Sequence, residues 1–309
     1  MRILLAAVLI AAVSATHPVN QRLVNSINSQ NLSWKAKAPE ENPFAQMSVE
    51  EIKSMLGTHI VPTPEVLSTF SEVENLEQVP TSWDWRTGAK AQCAFAVRDQ
   101  GRCGSCWAFG AAGALSHRFC LGGQQVQLSE QELVDCDRSL NMGCNGGYIF
   151  AVWNYLESRG LVTDDCYPYY SGEAGDDKKG CKSKCHDDKE FGEKHKCAGK
   201  SIHPTTPDNI RKEVYTNGAT ELAFTVYQDF MNYESGVYKH TTGSQLGGHA
   251  VMLIGYGTEN GLDYWLCQNS WGPRWGDNGY FKIAVGDCGS NGQIYSCNAK
   301  IHEKSLESF

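Results

Sequence analysis

Gln100-Gly101-Arg102-Cys103-Gly104-Ser105-Cys106-Trp107-Ala108-Phe109 is the stretch from which the rest of the chain is read. It sets a thiol at the start of a predicted helix. Trp107, Ala108, Phe109, Ala111, Ala112, Ala114 and Leu115 follow Cys106, and no proline occurs before Pro168. A helix that is apolar on nearly every side is a buried one. Its first turn offers free backbone N–H groups and a partial positive charge. A thiolate is stabilised there, and the thiolate is the nucleophilic form of cysteine. Cys103 and Cys106 also form a Cys-x-x-Cys pair, so a disulfide half or a metal ligand is an open alternative for Cys106 at this point.

Two downstream motifs complete a pattern. Gly248-His249-Ala250 lies 143 residues after Cys106, and Asn269, in Gln268-Asn269-Ser270-Trp271-Gly272, lies 163 after it. Cys-Gly-Ser-Cys-Trp, with Gln100 before it and the His and Asn-Ser-Trp after it, resembles the papain family of cysteine peptidases. In that family the His and Asn follow the cysteine by roughly 130–150 residues, so His249 matches more closely than Asn269. Further runs make the cathepsin B-like branch the nearest match: Arg98-Asp99-Gln100-Gly101, Cys144-Asn145-Gly146-Gly147-Tyr148, Gly236-Val237-Tyr238, Gly247-Gly248-His249 and Trp275-Gly276-Asp277-Asn278-Gly279. The resemblance covers nearly all of residues 20–300.

What the resemblance implies is specific. Cys106 is the expected nucleophile and His249 the expected proton acceptor, giving a thiolate–imidazolium pair that attacks a peptide bond and forms an acyl-enzyme. Asn269 orients the imidazole, and Trp271 shields that hydrogen bond from water. The Gln100 side chain and the Cys106 backbone N–H are the expected oxyanion donors. Gly146 and Gly147, with Gly248 opposite, are expected to take the substrate backbone as an added strand. Trp275 is expected on the primed side. Gln293 aligns with the base of the S2 pocket, where cathepsin B carries an acidic residue that accepts arginine. A neutral amide there predicts apolar P2 side chains. The resemblance also implies the disulfides Cys93–Cys120, Cys103–Cys144, Cys136–Cys181 and Cys166–Cys185, and leaves Cys197, Cys267, Cys288 and Cys297 unassigned. Cys267 is expected to be a buried free thiol. Cathepsin B has an occluding loop with two adjacent histidines that confers removal of C-terminal dipeptides. The matching stretch, residues 167–180, has no histidine, which predicts an open cleft and an endopeptidase.

The N-terminus carries Arg2, eleven apolar residues from Ile3 to Val13, and a Val-x-Ala cleavage pattern, which predicts a secretory signal over residues 1–15. The run is too short to cross a membrane, which takes about 20 apolar residues. The expected destination is the secretory pathway: lysosome or vacuole, secretory vesicle or medium. Thirteen cysteines in that compartment read as disulfides, and the odd number leaves at least one free thiol. A net charge of −8 without a basic patch argues against nucleic acid.

Residues 16–78 read as a separate unit, which the resemblance identifies as a short cathepsin B-like propeptide, with Leu23-Val24-Asn25 and Asn31-Leu32-Ser33-Trp34-Lys35 in matching order. Leu23, Val24, Ile27 and Leu32 suggest a short helix, and Ser48-x-x-Glu51 a capping box opening a second one that stops at Gly57. A proline-bearing acidic linker follows, with cleavage expected near residues 77–80. The unit has too few apolar residues for its own core, so it is expected to lie on the peptidase body and block it. Acid should favour release, because its eight carboxylates would lose charge-dependent contacts.

The mature domain, residues 79–309, reads as α+β with two lobes: helical mainly over 93–200 and β mainly over 201–309. Ser129-x-x-Glu132 predicts a capped helix, and Tyr148–Leu156 another that stops at Gly160. Leu222, Phe224 and Val226 alternate along one strand. Val251–Gly257 and Tyr264–Cys267 flank an Asn260-Gly261 hairpin turn, and Tyr280–Val285 is a further strand. The charged stretch 173–200 reads as a disulfide-tied loop. The weaker alternative is a zinc knuckle from Cys181, Cys185, His186, His195 and Cys197, without zinc spacing. No metal or cofactor is expected. Expected partners are peptide and protein substrates, the chain's own propeptide and cystatin-like inhibitors, with the protein itself a monomer. A transpeptidase using the same acyl-enzyme and a non-catalytic binding homologue are the alternatives.

Overall fold

In the computed structural model the described residues are 17–61 and 79–301. The predicted secretory signal and most of the predicted linker fall outside them.

The helix that starts at the key thiol is α3 (Cys106–Leu121), and 14 of its 16 residues are buried. That burial follows from its all-round apolar sequence. Before it come α1 (Gln21–Asn28), β1 (Trp34–Ala36), α2 (Val49–Ser54) and β2 (Trp83–Asp84). After it come α4 (Glu130–Cys136), α5 (Ile149–Ser158), the single-turn α6 (Ser171–Ala174) and α7 (Pro207–Asn217). The strands β3 (Thr220–Tyr227), β4 (Tyr233–Tyr238), β5 (Gln245–Glu259), β6 (Leu262–Gln268), β7 (Tyr280–Ala284) and β8 (Gln293–Tyr295) complete the chain. They form one sheet in the order β1-β4-β7-β6-β5-β3-β8, with β2 paired to β5.

The predicted hairpin is present: Glu259 pairs with Leu262, and Asn260 and Gly261 between them have φ of 50° and 78°. Positive φ at both turn residues is the two-residue turn that matches strand twist. α5 stops before Gly160, at φ 67°.

Several elements depart from the sequence expectation. α7 falls in the half read as β, although its Thr206 cap and Pro207 at the first helical position are start signals. β2 lies where the sequence predicts no strand, and it forms because Trp83 and Asp84 pair with Tyr256 and Gly255. Ser129 caps α4, but Glu132 does not return the bond. Its carboxylate accepts from Val162 N at 2.8 Å and pairs with Lys194. α2 has both halves of its capping box yet ends at Ser54, not at Gly57. Gly57 instead permits a close approach, since a Cβ there would lie 1.9 Å from the Gly104 carbonyl oxygen.

The segment before residue 62 shares the core of the body. Val24, Ile27, Trp34, Phe44, Ile52, Met55 and Leu56 are buried in the same cluster as Trp107, Leu253 and Trp271. β1 adds a strand to the sheet by pairing antiparallel with β4. Disulfides join Cys93–Cys120, Cys103–Cys144, Cys136–Cys181 and Cys166–Cys185. A fifth, Cys197–Cys297, spans 100 residues and ties the charged loop to the end of the sheet. With Cys181, Cys185 and Cys197 in disulfides, the thiolates of a zinc knuckle are gone. Cys106 and Cys267 are free and buried, and Cys288 is free and half-buried.

Candidate active site

Four structural features converge on Cys106. The Cys103–Cys144 disulfide links the loop before α3 to the Gly146-Gly147 loop. Cys106 opens α3, and its thiol is fully buried. Burial pushes the thiol up from its ordinary range, opposed by the Thr58 hydroxyl and by backbone donors of Ala250, Gly57 and Trp107. Thr58 Oγ1 lies 3.0 Å from Cys106 Sγ.

His249 sits in the middle of β5, opposite Phe224 of β3. β5 and β6 pair Met252 with Gln268, so the residues just past β6 run alongside Val251 to His249. That register brings Asn269 and Trp271 to the imidazole. Asn269 Oδ1 lies 2.7 Å from His249 Nε2 and also accepts from the Ser270 backbone N–H at 2.8 Å. A backbone N–H can only donate, so the atom facing the imidazole is oxygen and Nε2 carries the proton. Nδ1 is therefore bare and has no partner among the described residues. The Trp271 ring stacks on the imidazole with centroids 4.5 Å apart. Burial lowers the His249 pKa from 6.5 to about 4, only partly offset by Asn269. With the thiol pushed up and the imidazole pushed down, both are neutral in this form of the chain.

Gln100 is held across the lobes. Its Oε1 accepts from Ser270 Oγ at 2.8 Å, and its Nε2 donates to the carbonyls of Cys103 and Met55, each at 2.8 Å. The Met55 carbonyl, from the segment before residue 62, occupies the amide read as an oxyanion donor.

Residues 57–61 thread between the two glycine walls. Gly147 N donates to Gly57 O at 2.8 Å, His59 N to Gly147 O at 2.9 Å and Thr58 N to Gly248 O at 3.1 Å. A Cβ on Gly248 would come within 2.1 Å of Thr58 O, so only glycine admits this strand. Gln293 is buried and donates to Val61 O at 2.5 Å. The segment thus runs from the Gln100 end to the Gln293 end. Trp275 is buried against Trp271, with centroids 4.8 Å apart, and donates toward Met231 O.

Residues 167–180 pack beside this site. α6 lies against the loop of Gln100, where Arg102 N donates to Gly172 O at 3.0 Å. Asp177 pairs with Arg138, Asp176 with Lys178, and Lys179 lies over the Tyr170 ring. Sequence reasoning missed Thr58 and Ser270. The sequence marks Gly57 only as a helix stop, and Ser270 only as part of the Asn-Ser-Trp run. Among the described residues no His, Cys, Asp and Glu group is arranged to hold a metal, and no helix is long and apolar enough to cross a membrane.

Known proteins are similar to this chain in sequence and fold. A model described as "Papain family cysteine protease" matches residues 79–298. The chain is 39% identical to "Cathepsin B-like CP3" of Giardia intestinalis, over 88% of this chain and 91% of that one. It is 40% identical to "Cathepsin B" of Dictyostelium discoideum, over 70% and 74%. Among solved structures, "proCathepsin B S9 from Trypanosoma congolense" superposes with a TM-score of 0.79 at 27% identity, covering 92% of this chain and 100% of that one.

Proposed function

The chain belongs to the papain family of cysteine proteases, in its cathepsin B-like branch, and from that premise we propose that it is a secretory-pathway endopeptidase made as a latent proenzyme. The observation that carries the proposal is the strand 57–61 laid between Gly147 and Gly248, over Cys106 and beside His249.

Latency has two sources. One is direction. The S2 assignment of Gln293 puts the acyl side of a substrate at that end of the cleft, so a substrate runs from Gln293 toward Gln100. The propeptide runs the opposite way and presents the Thr58 hydroxyl, not a scissile carbonyl, to the sulfur. The other is electrostatic. Covering the site disfavours both charged forms, so thiol and imidazole stay neutral. When the segment leaves, water returns, and the proton moves from Cys106 Sγ to His249 Nδ1.

The thiolate then attacks the scissile carbonyl carbon. The oxyanion is received by Gln100 Nε2, freed from Met55 O, and by the Cys106 backbone N–H. Collapse breaks the C–N bond, and the imidazolium Nδ1–H protonates the leaving amine. Neutral His249 next takes a proton from water, which attacks the thioester and regenerates Cys106. Throughout, Asn269 Oδ1 holds Nε2–H and Trp271 covers that bond.

The mature enzyme starts near residue 79, acts as a monomer and admits cystatin-like inhibitors. Two features favour the endopeptidase. Residues 167–180 carry no histidine. Their cations are engaged with Asp176 and the Tyr170 ring. The test uses two matched peptides, one with a free carboxylate two residues past the scissile bond and one amidated there. Equal cleavage is expected, and a strong preference for the free acid would contradict an endopeptidase.

A further inference from the structure

One buried carboxylate has no part in the chemistry above. Glu130 opens α4 and is 3% exposed. It lines an inter-lobe crevice of about 40 Å³ whose other polar walls include Arg98 on the helical lobe and Gln268 and Asn269 on the β lobe. Glu130 Oε2, Gln268 Oε1 and Asn269 Nδ2 are all buried without a hydrogen-bond partner among the described residues. Arg98 Nη1 stands 3.2 Å from Glu130 Oε2 and 3.0 Å from Asp164 Oδ2, near enough to pair charge but not aligned for a hydrogen bond.

The leftover groups are complementary. Asn269 Oδ1 is fixed on His249 and Ser270, which leaves Nδ2 as a donor. Glu130 Oε2 is a leftover acceptor on the same crevice. A water needs about 10–15 Å³ of such space and two or more polar partners, so the crevice holds roughly three.

We propose that Glu130 is a positioning residue for the peptidase reaction: through ordered water in this crevice its carboxylate holds Asn269 Nδ2–H, and so keeps Asn269 Oδ1 on His249. The proposal rests on the roles given above to Cys106, His249 and Asn269. An amide gripped at both ends cannot pivot off the imidazole, and because the walls belong to different lobes the same bridge sets the lobes against each other. The charged and titratable groups facing Glu130 are Arg98, Asp164 and Tyr169, while the β lobe offers only neutral amides and a hydroxyl. Burial pushes the Glu130 carboxyl up to about 7, with Arg98 pulling it down. Its ionisation therefore falls within an ordinary assay range.

The test compares wild type and Glu130→Gln, each expressed as the full chain and then processed, between pH 5 and 9. Wild type should show a step in kcat near pH 7 that Glu130→Gln lacks. Above the step, kcat of the variant should be lower by about three- to tenfold, the size of one net hydrogen bond, with KM little changed. An unaltered profile overturns the proposal, as does a pH-independent loss matched by a fall in Tm. If Glu130→Gln does not fold, a high-resolution structure of the unsubstituted protein decides: water bridging Asn269 Nδ2 and Glu130 supports the proposal, and its absence overturns it. A readout independent of turnover is the His249 titration followed by NMR in Cys106→Ala. Adding Glu130→Gln should lower that pKa, and no change overturns the proposal. A wild type that cleaves no peptide would instead sink the peptidase assignment, with the titration still deciding the role of Glu130.

Discussion

Removing the Trp34 side chain should unlock the cleft from a distance. Trp34 is 1% exposed, donates from Nε1 to Lys239 O at 3.1 Å and meets Tyr238 edge-on at 5.1 Å. It anchors β1 on β4, far in sequence from residues 57–61. Truncating a buried tryptophan to alanine costs about 3–5 kcal/mol. Here the cost falls on propeptide docking, because Trp34 leaves with the propeptide. At about 1.4 kcal/mol per tenfold, the undocked fraction should rise roughly 100- to several-thousand-fold. The assay is alkylation of Cys106 in the unprocessed chain at neutral pH, read by peptide mapping so that Cys267 and Cys288 are scored separately. If labelling requires undocking, the Trp34→Ala rate should rise with the undocked fraction until intrinsic thiol reactivity limits it. A rate within twofold of wild type would refute the idea that docking of β1 and cover of the thiol are one event.

Acid should open the same strand through His249. Among the described residues the propeptide offers one near ion pair to the body, Glu51 with Arg102 at 4.0 Å, both well exposed, and such a pair contributes little. Of the eight carboxylates expected to drive release, Glu65, Glu72, Glu74 and Glu77 lie outside the described residues. The His249 pKa is depressed from 6.5 to about 4 in the covered state, so protons favour the state in which the imidazole is solvated. Where no thiol shares the proton, as in Cys106→Ala, the His249 contribution to cover is complete above pH 6.5, and about 3 kcal/mol of it is lost as pH falls from 6.5 to 4. In Cys106→Ala, hydrogen exchange at the Thr58 and His59 amides should accelerate over that window, and His249→Gln should flatten the response. Equal acceleration in both would rule His249 out as the trigger. For specificity, Gln293→Glu should raise cleavage of peptides with arginine at P2 by about 10- to 100-fold relative to leucine at P2, since a charge-assisted bond replaces a neutral one. An unchanged ratio in a peptide library would show that Gln293 is not at the S2 base.

The chemistry was legible because Gln100, Cys106, His249 and Asn269 sit in short motifs that resemble those of the papain family, and parts of the fold were legible because their signals are local. An all-apolar run after Cys106 gave the buried helix, and Asn260-Gly261 gave the hairpin whose register sets Asn269 beside His249. What stayed hidden depends on contacts far apart in sequence. Nothing near Cys197 or Cys297 marks them as partners across 100 residues. Glu132 has the spacing of a capping residue but is drawn away to Val162 and Lys194. Gly57 looks like a helix stop and is instead the point where two backbones touch. α7 was missed despite its local start signals, because the strands around it set the pattern.

The central claim is that Cys106 is the nucleophile, uncovered when the propeptide leaves. Titration of the processed enzyme with an epoxysuccinyl thiol reagent, with peptide mapping and residual activity measured on the same samples, tests it most directly. The structure leaves Cys106, Cys267 and Cys288 as free thiols among the described residues. The prediction is one label per chain, on Cys106, with activity falling in proportion. Full labelling of Cys106 with activity intact, or activity lost to a label on Cys267 or Cys288, would contradict it.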